Sequence, residues 1–198
     1  MPDKPDIAAL LGSRICHDLI SPIGAIGNGV ELLLMDGVAK GPEMALVSES
    51  VANANARIRF FRVAFGQTSQ DQRIGASEVA SILNDLTRGG RIAISWSSAP
   101  DLLRRETKLA FLLILCLETA LSYGGQISVD RRENRWHIQG SGARIRVEPE
   151  LWEMLSNPAA GAEIGPAQVQ FLLAPEEVAR QHRRLTAEIS ATAIKLMF

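Results

Sequence analysis

Apolar residues at Leu11, Ile15, Leu19, Ile23, Ile26, Val30 and Leu33 recur at steps of three or four. That is the period of a helix with one buried stripe. The pattern predicts a helix from about Ile7 to Met35, with Asp36-Gly37 as its stop. A loop through Lys40-Gly41 leads to Pro42, well placed as the first residue of a second helix. There Val47, Val51, Ala54, Ile58, Phe61 and Phe65 make a heptad-like seam, with Glu49, Asn53, Arg57 and Gln67 on the other face. Two such helices joined by a short loop form an αα-hairpin. One hairpin cannot bury both seams alone, whereas two hairpins related by a two-fold axis make a four-helix bundle. A homodimer is therefore expected. The competing reading packs both seams on the rest of the same chain.

Past the hairpin the pattern changes. Residues 66–75, GQTSQDQRIG, are polar and read as a linker, dividing the chain into 1–70 and 71–198. Ser77-Glu78 opens a short helix through Leu86, and Arg91–Ser97 alternates as a strand. Thr107–Leu121 is apolar on nearly every face and reads as a buried helix. Gly124-Gly125 precedes the strand QISVD, and Glu133-Asn134 makes a hairpin turn into RWHIQG. Arg144–Val147 reads as a continued strand and Pro149–Leu155 as a short helix. After a Gly/Pro/Ala loop, a helical region starts at Pro166, is interrupted by Pro175 and resumes as EEVARQHRR. Two strands, RLTAEIS and ATAIKLMF, close the chain.

Composition narrows the class. With 198 residues and 46% apolar content, the chain can bury a real core. A net charge of −1 leaves no electrostatic footprint for nucleic acid or an anionic membrane surface. The longest apolar run, Leu109–Leu117, is too short to span a bilayer, and charges interrupt the N-terminal apolar stretch, so a signal peptide is not expected. Cys16 and Cys116 are far apart and read as reduced thiols of a cytoplasmic protein. His137 and His182 have no partner pattern, and the three tryptophans read as packing residues.

The candidate chemistry lies in the first helix. At 100° per residue, His17 and Asp18 straddle the edge of the apolar stripe, so at least one reaches solvent. Around them the sequence accepts local penalties. Gly24, Gly27 and Gly29 each cost roughly 1 kcal/mol inside a helix, and Pro22 removes a hydrogen bond and should kink it. Such penalties collect at working surfaces.

A histidine followed by an acid and a leucine, with proline at plus five (His17, Asp18, Leu19, Pro22), resembles the H-box of the histidine-kinase dimerisation domain. The histidine of that motif accepts a phosphoryl group. The order of elements in the second half resembles the ATP-binding domain of the same kinases. The implied fold class is α+β: a helical hairpin that forms a four-helix bundle in the dimer, followed by a histidine-kinase-ATPase-like α/β sandwich. The departures carry the functional reading. Leu117-Glu118-Thr119-Ala120-Leu121-Ser122-Tyr123 stands where the kinases have (L/V)-E-N-A-x-K-(Y/F), so Thr119 replaces the magnesium asparagine and Ser122 the lysine. The nucleotide-reading Asp-x-Gly-x-Gly is reduced to IQGSGA at 138–143. The phosphate-cradling loop is reduced to Gly165-Pro166-Ala167, where proline supplies no N–H.

A phosphoacceptor histidine beside a damaged ATP module resembles the dimeric histidine phosphotransferases of the ChpT type. The resemblance implies that His17 accepts a phosphoryl group from the receiver domain of a hybrid histidine kinase and passes it to response regulators. Asp18 would polarise or deprotonate the ring. It implies no cofactor bound by this chain, because Mg²⁺ comes with the partner receiver. Arg14, Pro22, Gly24, Gly27 and Asn28 are the expected docking residues, Arg14 by meeting the receiver's acidic pocket. Two alternatives stay open: a divergent but active histidine kinase, and a non-catalytic dimeric adaptor for receivers.

Overall fold

The structure, a computed structural model, describes residues 7–36, 42–157 and 160–198. The N-terminal tail, the Gly37 stop, the Lys40-Gly41 loop and the thiol of Cys16 lie outside the described part. Helix α1 spans Ile7–Asp36 and runs on through Pro22; α2 spans Pro42–Ala64. They pack as a hairpin. They are close-packed at Gly29, where an added Cβ would collide with the Val47 side chain and lie 3.4 Å from the Glu43 carbonyl. This glycine lets the two helices close up.

The apolar stripe is only half covered by the chain itself. Phe61 is buried and Phe65 half-buried, and Phe60 beside the seam is fully buried, whereas Ile23, Val30, Val51 and Ile58 remain 58%, 44%, 41% and 43% exposed. Thus the seam read as uniform from its spacing divides in two. Its C-terminal part enters the core of the second half, and the rest is uncovered in the single chain.

That second half is an α/β layer. Strands β2 (Ile92–Ser97), β4 (Gly125–Arg132), β5 (Arg135–Ser141), β7 (Ala193–Met197) and β6 (Thr186–Ile189) form one mixed sheet in the order β2-β4-β5-β7-β6. Only β2 and β4 run parallel. Alternation sets the faces. Ile127, Val129, Trp136, Ile138, Ile194 and Leu196 point into the core, while Ser128, Gln139 and Lys195 face out. The core side is covered by α4 (Arg104–Ala120), an almost wholly buried helix, with α5 (Pro149–Ser156) and α6 (Gln170–Arg180) packed beyond it. Helix α3 (Ala76–Thr87) leads into β2. The β4–β5 turn is the two-residue hairpin expected at Glu133-Asn134, both with positive φ, 49° and 65°. Gly124 (φ 97°) turns the chain from α4 into β4, where a Cβ would meet the Arg91 carbonyl at 2.8 Å.

Three expectations are corrected. The end of the polar stretch, Arg73–Gly75, is a strand (β1), paired antiparallel with Asp101–Leu103 (β3) through Ile74 and Leu102. Strands of three residues are too short for a period to register. Arg144–Val147 is not a strand: the chain leaves the sheet after Ser141, and Arg146 donates its N–H to the Ala120 carbonyl at the end of α4. Pro175 does not interrupt α6, whose buried Phe171, Ala174 and Glu177 hold it against α4. Tertiary packing offsets the one hydrogen bond that proline forfeits.

The hairpin and the α/β layer share one core. Phe60 stacks on Phe111 of α4 at 4.6 Å between ring centroids. Cations of α4 also hold the C-terminal end of α2. Arg104 Nη2 donates to the Arg62 carbonyl (2.9 Å) and Lys108 Nζ to the Gly66 carbonyl (3.0 Å). These carbonyls lack helical partners, and the helix end favours positive charge.

Candidate functional site

The site is built where the third turn of α1 passes into the fourth; there His17 and Asp18 are consecutive but face different surroundings. The His17 side chain is 82% exposed, and that of Asp18 is 10% exposed. His17 Nδ1 lies 3.2 Å from Asp18 Oδ1. The other carboxylate oxygen, Oδ2, accepts from Arg14 Nε at 2.9 Å, one helical turn earlier, and lies 3.6 Å from Arg57 Nη1 of α2. Two guanidiniums therefore anchor one oxygen and leave the other beside the ring.

Arg14, expected to meet a receiver, turns inward. It is 12% exposed, and its Nη1 donates to the Ala167 carbonyl at 2.6 Å. Ala167 belongs to a 3-10 turn at Pro166–Gln168, in the stretch that the kinase resemblance compares with a phosphate loop. Several polar groups of this turn are already engaged. The Gly165 N–H donates to Gln168 Oε1 (3.1 Å), Pro166 has no N–H, and the Ala167 carbonyl also accepts from Gln170 Nε2 (3.0 Å). It offers a carbonyl to a cation rather than N–H groups to a phosphate. Thr119, which the kinase resemblance aligns with a magnesium asparagine, donates its hydroxyl to the carbonyl of Cys116, 2.6 Å away on its own helix. Residues 138–141 of IQGSGA continue β5, with Gly140 packed on Leu117 at 3.0 Å from a notional Cβ.

Glu118, beside Thr119 on α4, faces the same cluster. Burial pushes its carboxyl up to about 7; Arg57 and Arg14 pull it down and Asp18 adds to the rise. The α/β layer thus places an acid within electrostatic range of the H-box.

In front of His17 lies a groove of about 440 Å³. Its walls are His17, Asp18, Ser21 and Pro22 of α1, Asn53 and Arg57 of α2, and the Arg88–Gly90 turn after α3. Pro22 is the one expected docking residue on its wall. Gly24, Gly27 and Asn28 lie exposed further down α1, and a Cβ on either glycine would meet nothing within 4 Å. Arg88–Gly90 carried no signal in the sequence. Arg57 did, as one of the polar positions at four-residue spacing on α2.

An exposed imidazole, fixed by an acid on a helical hairpin and mounted on an α/β layer, defines a protein of the histidine-phosphotransfer class. Comparison with known proteins agrees. The family described as the histidine phosphotransferase C-terminal domain matches residues 76–193. Protein phosphotransferase ChpT of Brucella abortus (strain 2308) is 35% identical over 202 residues, spanning 98% of this chain and 94% of its own length. The solved structure of a bacterial phosphotransferase is similar over 100% of this chain and 97% of its own, at 31% identity and a TM-score of 0.83. The chain belongs to the histidine phosphotransferase family, as a phosphorelay histidine phosphotransferase.

Proposed function

We propose that His17 is the phosphoacceptor, taking its phosphoryl group from the aspartyl phosphate of a receiver domain and passing it to the aspartate of response-regulator receivers. The observation that carries the reading is the pairing of an 82% exposed imidazole with a carboxylate on its Nδ1 side. With the Nδ1 proton donated to Asp18, Nε2 keeps its lone pair and faces solvent. In uptake, Nε2 attacks phosphorus, the acyl phosphate P–O bond breaks, and the receiver's aspartate leaves as a carboxylate. Asp18 then steadies the cationic ring, and transfer onward reverses the step.

The metal for both transfers comes with the receiver, which carries Mg²⁺ beside its own aspartate. Three features of this chain support transfer without ATP: the back-bonded hydroxyl of Thr119, the β5 strand in place of a nucleotide-reading loop, and the 166–168 turn, where Pro166 has no N–H and the Gly165 N–H is already bonded. Each departs from what charge neutralisation on a transferring phosphoryl group requires. The partner face is proposed along α1 at Pro22, Gly24, Gly27 and Asn28. The exposed apolar residues of the hairpin, with Ile20 and Met35 at 67% and 81%, support a second copy packed as a four-helix bundle. No helix among the described residues is long and apolar enough to cross a membrane, and the cytoplasm is the proposed location.

The test follows radiolabelled phosphate from ATP through a hybrid kinase and its receiver to the wild-type protein and to His17→Ala. Label should reach the wild type only when the phosphorylated receiver is present, and never the variant. Label from ATP alone would make the protein a kinase. Cognate receivers that bind without transferring label would make it an adaptor.

A further inference from the structure

We infer that Arg14 is a positioning residue for phosphotransfer, clamping Asp18 to the 166–168 turn of the α/β layer so that one carboxylate oxygen stays aimed at His17. The inference rests on His17 being the phosphoacceptor. It assigns work to the α/β layer, which no longer carries the kinase motifs.

The geometry has three parts. Arg14 uses two nitrogens of one planar fork, Nε on Asp18 Oδ2 at 2.9 Å and Nη1 on the Ala167 carbonyl at 2.6 Å, across 153 residues of sequence. The carbonyl is itself fixed. Gln170, fully buried in α6, donates to it at 3.0 Å, and the Gly165 N–H to Gln168 Oε1 bond closes the turn. Finally, Asp18 is 10% exposed, with Oδ2 also near Arg57, so its carboxylate has one orientation that satisfies the cations, and in it Oδ1 is 3.2 Å from His17 Nδ1. A continuous set of bonds thus runs from a buried helix of the α/β layer to the reacting ring. Lysine cannot replace the fork, because a single ammonium lacks the fixed spacing of Nε and Nη1.

The clamp acts on ring chemistry, so it separates from docking when the receiver is left out. Phosphoramidate, which phosphorylates histidine directly, is the probe, with labelling of His17 followed site by site by mass spectrometry. Arg14→Ala and Arg14→Lys should both slow His17 labelling by about tenfold or more, since small misplacements at a reacting centre have effects of that size. Both should bind an unphosphorylated receiver domain as tightly as wild type. Nitrogen NMR should show the Nδ1-protonated tautomer of His17 depleted in both variants. Arg14→Lys keeps the stem and the charge, so it remains informative if the alanine variant does not fold. Wild-type labelling and tautomer populations in Arg14→Lys would overturn the clamp. So would unchanged phosphoramidate rates with weakened receiver binding, which would make Arg14 a docking residue. Failure of the wild type to take phosphate from any phosphorylated receiver would instead sink the relay reading, which the phosphoramidate reaction does not test.

Discussion

Replacing Phe60 with alanine tests whether the histidine-bearing hairpin and the α/β layer are one cooperative body, on which any fixed geometry at Asp18 depends. Phe60 is fully buried near the end of α2. It stacks on Phe111 of α4 at 4.6 Å and 15°, and meets Phe61 edge-on at 6.2 Å. Truncating a buried phenylalanine costs about 3–5 kcal/mol, and the lost stack lies toward the upper part of that range. A chain of this size loses roughly 2–4 °C of Tm per kcal/mol, so Phe60→Ala should melt about 10 °C lower. Far-UV circular dichroism reports mainly on the helices. Tryptophan fluorescence reports on the α/β layer, where Trp96 lies 6.0 Å from Phe111 and 5.2 Å from Trp136. Both signals should fall together, in wild type and variant, at one fixed protein concentration, because any association raises the apparent Tm. Helix signal lost well before fluorescence, with the fluorescence midpoint moving by less than about 3 °C, would refute the shared core.

Three further substitutions read other parts of the molecule. The Glu118 carboxyl is raised to about 7 from 4.5, so the folded chain binds a proton across that window that the unfolded chain does not. Its stabilising contribution is complete below about pH 4.5 and is lost as pH rises through 7. Glu118→Gln should therefore gain stability over wild type between pH 5 and pH 8, by at most about 3 kcal/mol and less with solvent screening. Urea midpoints at three pH values check this, and a pH-independent difference would contradict it. Gly24→Ala should raise Tm, since its Cβ enters open space and alanine favours the helix by roughly 1 kcal/mol, yet weaken receiver binding if α1 is the docking face. By contrast Gly29→Ala should lower Tm, because its Cβ meets the stiff Val47 side chain. Melting curves and a receiver titration on both variants decide the matter.

Much of this protein is legible in one dimension. The 3.6-residue period gave both long helices within a residue or two, and alternation with turn signals gave β2, β4 and β5, while β6 and β7 are legible as the closing strands. The H-box and the damaged kinase motifs are local strings, so their chemistry is readable wherever they sit. Periodicity states that a face is buried, however, and not against what. Only the tertiary structure divided the hairpin's stripe, sending Phe61 into the α4 core together with Phe60, which the seam did not include, and leaving Val51 and Ile58 uncovered. Only it turned Arg14 away from solvent, because the acceptor it meets is a backbone carbonyl 153 residues distant that no side-chain pattern encodes. Glu118 is the same case. As a letter it only matches one position of a motif resembling that of the kinases. The packing of α4 places it in reach of Arg57 and Arg14, where lost water and two cations compete over its proton. Sequence determines what each group can do; the fold determines which charges it must do it beside, since electrostatic and hydrogen-bond energies depend on distance in space and not along the chain.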